Sequence, residues 1–344
     1  MRSKITLKEL AKILNVSVST VSKSLNDSSE ISPQTVKRVK ELAQLHNYRP
    51  NPIAVNLKRS RTGNIAVIVP NISNTFFAKV LGGVETEARK LGFQVITYIS
   101  NESLQLEQQI TELISAGIVD GLLISVSEET QKLQNYDHLH QLKEYEIPVV
   151  LFDRINIDIG MDAIGVNDRG SIYEAVTFLH SQNLKKIALV CGLGEIGLGK
   201  QRMDGFSDAC KDLGLPSDKK YILASKDIPV VKQKLKKLLL EDKVEAIIGL
   251  DYLSTLLASR IVQENNLTIP GDVKIIGYVN DDFASYLWPS ISYVDQHPVE
   301  IGEQATAILV KRIQEPSAAT PARVILNTQI RHLDSTRPQI PLPK

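Results

Sequence analysis

Cysteine is almost missing from this chain: 344 residues hold two, Cys191 and Cys210. One ends an apolar run and the other lies inside a helical pattern, which fits reduced thiols better than a disulfide framework. Both are expected to be reduced packing residues. Aromatic residues make up 5% of the chain, with a single tryptophan. No stretch comes near the roughly eighteen uninterrupted apolar residues of a spanning helix, and the opening Met1-Arg2-Ser3-Lys4 leads into no apolar secretory segment. Neither membrane insertion nor export is expected, and a cytoplasmic location is. A hydrophobic share of 43% with 23% charge suits a globular protein of two or three domains.

Net charge is also nearly absent, +1 in total, but its distribution is lopsided. Residues 1–63 carry twelve Lys or Arg against four Asp or Glu, a charge of +8, and the remainder carries 28 against 35, or −7. A head of that sign can displace the counterions condensed on DNA, whereas the body would be repelled by phosphate.

The head reads as three short helices. Thr6 followed by Glu9 is a capping box, and Leu7, Leu10, Ala11 and Leu14 recur at helical spacing, which predicts a helix over 7–14. Ser17 caps a second helix over 18–25, whose Val21 and Leu25 face inward while Ser19, Thr20, Ser22 and Lys23 take exposed positions. Ser32 and Pro33 open a third, with Val36, Val39, Leu42 and Ala43 closing a small core. Two helices at helix-turn-helix spacing, the second presenting hydroxyls and a lysine, suit a major groove, where such groups reach base edges and phosphates. A plain three-helix domain with solvated polar faces would share the pattern.

The strings Thr6-Leu7-Lys8-Glu9-Leu10-Ala11, Val16-Ser17-Val18-Ser19-Thr20-Val21-Ser22-Lys23-Ser24-Leu25-Asn26 and Asn47-Tyr48-Arg49-Pro50-Asn51 go further. Through them the chain resembles the LacI family of bacterial transcription regulators. The resemblance implies that Val18, Ser19 and Lys23 read bases, and it places Thr6, Ser17, Thr20, Ser22, Asn26, Tyr48 and Asn51 on the DNA-binding surface. Lys23 stands where arginine is commoner, which removes a planar bidentate fork for guanine. After Pro52, the segment Ile53-Ala54-Val55-Asn56-Leu57-Lys58 is under two turns and too short to hold a helix alone in water. By resemblance it is a hinge helix that folds on DNA beside its dimer mate, with Ala54, Leu57 and Lys58 as contacts and Leu57 wedged into a minor-groove base step. By composition, 58–63 reads as a linker.

From Asn64 onward, Val/Ile-rich runs at 65–69, 95–99, 121–124, 149–152, 187–190, 246–248 and 273–276 alternate with amphipathic stretches such as 80–91, 104–116, 172–179 and 253–262. That is repeated βαβ grammar, so parallel sheets are expected. Ile65 through Phe93 is echoed by Ile187 through Leu215, which points to two similar open sheets with a cleft at their strand ends. The resemblance continues through Gly63-Asn64-Ile65-Ala66-Val67-Ile68-Val69-Pro70-Asn71, Asp153-Arg154, Gln201-Arg202-Met203-Asp204-Gly205-Phe206 and Ile269-Pro270-Gly271-Asp272-Val273. It implies an α/β chain: an all-α helix-turn-helix head, then two Rossmann-like lobes of the periplasmic-binding-protein-like kind, joined by three crossings. The expected division is a head over 1–50, hinge and linker over 51–62, an effector-binding and dimerisation body over 63–331, and a tail over 332–344. Within the body, 63–163 plus 296–331 form the first lobe and 164–295 the second.

By the same resemblance, effector residues sit at strand ends: Asn71, a stacking wall from Phe76 and Phe77, Asp153 accepting from hydroxyls, Arg202 as a charged fork, Asp251 and Asn280. Arg202 is expected to matter most. Stacking faces with bidentate polar groups are the chemistry of sugar recognition. Gly277-Tyr278-Val279-Asn280-Asp281-Asp282 departs from the family pattern, because Val279 replaces the customary aspartate. A phosphorylated or cyclic sugar therefore stays open as the effector.

A rival reading is a P-loop-like NTPase or nucleotide-binding enzyme. Gly192-x-Gly194-x-x-Gly197 follows a strand, and Gly194 to Lys200 reads GxxxxGK, but Gln201 stands where Mg²⁺ needs Ser or Thr and Glu195 puts a negative charge in the loop. His138 and His140 are two apart on a helical pattern and point to different sides, so no metal is expected. No catalytic constellation and no cofactor is expected either. The partners expected are double-stranded operator DNA with pseudo-palindromic half-sites, a second copy of the chain, and a small-molecule effector, with no membrane.

Overall fold

The computed structural model describes residues 5–46, 48, 61–194, 197–316 and 320–337. The chain divides into two compact units where Thr62 meets Gly63.

The first unit is built on local signals. Helices α1 (Leu7–Leu14), α2 (Val18–Leu25) and α3 (Pro33–Leu45) each begin at a hydroxyl cap, respectively Thr6, Ser17 and Ser32. At Thr6 the box is complete: its backbone N–H donates to the Glu9 carboxylate at 2.7 Å while the Glu9 N–H donates to its hydroxyl. Asn15 turns the chain out of α1 at φ 51, a left-handed conformation that asparagine tolerates. Leu10, Ala11, Val21, Val39 and Ala43 make the buried core, with Leu7, Leu14, Val16, Leu25 and Tyr48 packed around it.

The second unit begins with β1 (Asn64–Val69), α4 (Thr75–Lys90), β2 (Gln94–Ile99), α5 (Leu104–Ser115), β3 (Gly121–Ile124), α6 (Glu128–Leu133), α7 (Asp137–Glu144), β4 (Val149–Phe152) and β5 (Asp162–Val166). It continues through α8 (Asp168–Ser181), β6 (Ile187–Cys191), α9 (Gly197–Asp212), β7 (Ile222–Ala224), α10 (Ile228–Leu240), β8 (Ala246–Gly249), α11 (Tyr252–Glu264), β9 (Lys274–Gly277), α12 (Asp281–Tyr286) and β10 (Ser292–Asp295). Last come α13 (Pro298–Gln314), β11 (Arg323–Leu326) and β12 (Gln329–Arg331).

Two six-stranded sheets result, ordered β11-β5-β4-β3-β1-β2 and β12-β10-β9-β8-β6-β7. Pairing is parallel throughout the first, and antiparallel in the second only between β12 and β10. Helices cover both faces, which is why the central strands read as continuous apolar runs: Ile65, Val67 and Val69 enter one core layer, Ala66 and Ile68 the opposite one. The expected head followed by two parallel-sheet lobes is therefore what the chain forms.

Two lobe boundaries differ from expectation. Strand β5 pairs with β4 and β11 in the first sheet, so the chain leaves the first lobe at Asn167 rather than after 163. Strand β12 pairs Tyr293 with Arg331 in the second sheet, whereas the expected division puts 329–331 in the first lobe. Both strands are short, and partner choice across a hundred residues leaves no local mark. The three crossings fall at Asn167, at 296–297 and at 327–328.

Helices α4 and α13 cross closely on the first lobe. A Cβ at Gly83 would collide with the Val299 carbonyl, and one at Gly302 with the Val80 carbonyl. Those two glycines let the backbones touch, and they set where both helix N-termini open onto the interlobe cleft.

Candidate nucleic-acid interface and interlobe cleft

In the head, α2 carries most of the residues expected to meet DNA. Val18, 41% exposed, and Ser19 stand out to solvent, with Ser22 and Lys23 half-buried a turn later on the same side. Thr20 is half-buried rather than exposed, and its hydroxyl lies 2.8 Å from Ser17 Oγ, which also accepts the Thr20 N–H at 2.9 Å. Thr6 is likewise engaged in its capping box, and Asn26 donates its amide to the Ser22 carbonyl at 2.8 Å. The Lys23 ammonium is paired with Glu30, so base contact by Lys23 requires giving up that carboxylate for the neutral acceptors of a base edge. Tyr48 donates its N–H to the Ala43 carbonyl at 2.8 Å, and burial raises its phenol pKa. Asn51, Ala54, Leu57 and Lys58 lie outside the described residues. Ser24, which the sequence did not single out, is fully buried, and its hydroxyl finds no hydrogen-bond partner among the described residues.

In the body, a cavity of about 560 Å³ opens between the lobes. From the first lobe come Asn74 and Phe76 at the start of α4, Lys79 one turn on, and the start of α13. From the second come Tyr252, Tyr278, Asn280 and Asp281 at the ends of β8 and β9, with Tyr293 on β10. This is the carboxyl edge of both sheets, where strand ends and helix starts converge. Lys79 bridges the lobes to Asp281 and to Asp282, the latter at 3.0 Å. A second bridge joins Glu128 on α6 to Lys226 before α10.

Of the expected effector residues, Phe76 and Asn280 line this cavity. Asn280 caps α12 through its side-chain oxygen, accepting from the Phe283 N–H at 3.0 Å and leaving its amide group to act elsewhere. Phe77 instead enters the first-lobe core, 3% exposed, with its ring edge-on to Phe76 at 5.3 Å and to Phe152 at 6.4 Å. Asn71 is exposed and accepts from the Ser73 N–H at 2.8 Å. Asp251 caps α11, accepting from Ser254 N–H at 2.9 Å and Gly192 N–H at 2.8 Å.

Arg202 and Asp153 sit one layer deeper. Arg202 is 3% exposed; its Nε and Nη2 hold Asp168 Oδ1 at 2.7 Å, its Nη1 donates to the Leu250 carbonyl, and its guanidinium lies 3.6 Å above the Tyr278 ring. The fork expected to face a ligand is thus closed on Asp168, a residue that sequence reasoning passed over. Tyr278 joins this buried cluster to the cavity wall, and burial pushes its phenol up to about 12. Asp153 occupies φ 64 and accepts from Ser125 Oγ at 3.3 Å. Burial pushes its carboxyl up to about 6, against the pull of Arg154.

In the glycine-rich segment the Gly192 amide is already engaged. The Gly192 N–H donates to the Asp251 carboxylate and to Ser254 Oγ, so the amide that would cradle an anion already has one, and Lys200 points to solvent. His138 is buried 3.3 Å from Glu107 while His140 is exposed. No group of three potential metal ligands occurs among the described residues, and no described helix is long and apolar enough to cross a membrane. Burial holds both Cys191 and Cys210 thiols up at about 11, which keeps them protonated.

Residues 6–51 match the family of bacterial regulatory proteins named for lacI, and residues 176–336 match the periplasmic binding protein-like domain. The HTH-type transcriptional repressor PurR of Aliivibrio salmonicida (strain LFI1238) is 30% identical over 319 residues, spanning 90% of this chain and 92% of its own length. The Lac repressor dimer bound to operator and an anti-inducer has the same fold, with a TM-score of 0.83 at 18% identity over 97% of this chain and 99% of that one. A LacI family regulator from Enterococcus faecium with bound ribose gives 0.69 at 25% identity over 80% and 99%. The chain belongs to the LacI family and is a transcriptional regulator, with no support for an NTPase.

Proposed function

We propose that this regulator is a cytoplasmic, non-enzymatic repressor that binds a pseudo-palindromic operator as a homodimer and changes its grip when a carbohydrate-like effector enters the interlobe cavity. The observation that carries this reading is the 560 Å³ cavity walled by both lobes. A molecule touching Phe76 on one side and Asn280 on the other binds one arrangement of the lobes better than another, and that difference in affinity is what drives a conformational shift. The ion pairs of Lys79 with Asp281 and Asp282 resist the same motion. Ribose in the Enterococcus faecium relative supports a sugar-like ligand.

A second copy has a place to dock. Leu253, Tyr286 and Trp288 are 71%, 89% and 87% exposed on α11 and at the end of α12, apolar groups that a second copy would cover. Two-fold pairing also suits a head whose single recognition helix covers little DNA. The test is a gel shift on the DNA upstream of the coding region, with salt titration and a thermal-shift screen of sugars. Specific retention that weakens steeply with salt is expected. Equal retention of any competitor fragment would overturn the reading.

A further inference from the structure

We infer that the molecule received by the interlobe cavity carries net positive charge, as an amine-bearing sugar or a polyamine would, and that phosphorylated sugars are repelled. The inference deepens the effector reading above and rests on it. Four carboxylates line the cavity, Asp281, Asp295, Glu300 and Glu303, against one ammonium, Lys79, which leaves −3 counting His297 as uncharged. Just outside, Asp282 adds a negative charge by joining Lys79, while Arg331, paired with Asp295 at 3.2 Å, and Lys90, close enough to Glu303 to interact with it, bring the balance to −2.

Arg202, the fork expected to hold a ligand, is enclosed by Asp168, the Leu250 carbonyl and the Tyr278 ring. Four helices start at this cavity, α4, α11, α12 and α13, and each N-terminus carries at most roughly half a positive charge. Together the four add about +2, which is less than the −3 of the lining, and Asp251, outside that sum, caps α11. The dipoles therefore do not reverse the sign. Phe76, Tyr252, Tyr278 and Tyr293 supply aromatic surface to the same cavity, and aromatic faces with carboxylates are the surroundings an organic cation prefers.

The experiment compares glucosamine, glucose and glucose 6-phosphate, which differ mainly in charge, together with spermidine, by calorimetry and thermal shift on the full-length chain. Glucosamine or spermidine should bind, with affinity falling as salt rises from about 20 to about 200 mM. The double variant Glu300→Gln and Glu303→Gln should bind the same cation about fivefold or more weakly, with the far-ultraviolet circular dichroism of the parent chain retained. Glucose 6-phosphate binding as well as or better than glucosamine overturns the inference. So does binding of glucose alone, or of none of the four. A gel shift on the same sample separates the two claims. DNA retention without cation binding keeps the regulator and loses the charge assignment. Cation binding without fragment preference keeps the charge assignment and loses the effector reading.

Discussion

The head and the body handle polar groups in opposite ways. In the head, Thr6, Ser17 and Ser32 answer backbone amides within three residues of themselves, and the side-chain pairings of α2 stay short in sequence, Thr20 with Ser17 and Lys23 with Glu30, with Ser19 left toward solvent. In the body, polar groups are drawn inward and paired across long spans of chain: Arg202 with Asp168, Gly192 with Asp251, Arg312 with Asp162. The difference follows from size. A three-helix core has no interior deep enough to enclose a charge, whereas two sheets covered on both faces do.

The largest expected effect comes from breaking the deepest pair. Arg202→Ala leaves Asp168 buried without its cation and should cost about 3–5 kcal/mol in urea unfolding of the body. An Asp168→Asn change in the same background should recover part of it, and a loss below about 1 kcal/mol would mean water reaches the site. In the head, Leu10→Ala opens a cavity in a core of few residues and should cost about 2–4 kcal/mol. Operator retention should vanish while ligand-dependent melting of the body survives; parallel loss of both would erase the division of labour drawn here.

The third effect is a pH dependence. The Asp153 carboxyl is raised to about 6 in the folded chain from about 3.8, so the native state holds a proton that the unfolded state has released between those values. Stability should therefore rise as pH falls from 7 toward 4, by on the order of 1–3 kcal/mol, and Asp153→Asn should flatten that component. Melting curves of the two proteins that stay parallel across this range would refute it. The smallest effect belongs to the cap: Thr6→Ala should cost about 1 kcal/mol of head stability, read by circular dichroism, with the body's transition unmoved.

Legibility in the sequence followed the same divide. The first two head helices were readable to the residue and the third at its start because Thr6, Ser17 and Ser32 are local signals, and the central strands of both sheets were readable because burial on two faces leaves unbroken apolar runs. Strands β5, β7 and β10 to β12 were not: β7 has three residues, and Asp162, Ser292, Arg323, Gln329 and Arg331 open or close the others with polar groups, so no unbroken apolar run marks them. At the cleft, Phe76 and Asn280 were found through a family pattern. Lys79, Glu300 and Glu303 were missed, because helix surfaces rich in charge look solvated until a second lobe faces them. Thr20 shows the limit even in the head: its hydroxyl looked free to reach DNA, yet Ser17 holds it.

The order of the amino acids alone determined the sign of each region, the helix starts of the head and the alternation of strand with helix in the body, all consequences of neighbours a few residues apart. Which strands share a sheet, where the chain crosses between lobes, and that Arg202 closes on Asp168 were decided by tertiary structure. Those outcomes depend on groups brought together from distant parts of the chain, where burial strengthens electrostatic attraction and makes an unpaired charge too costly to keep.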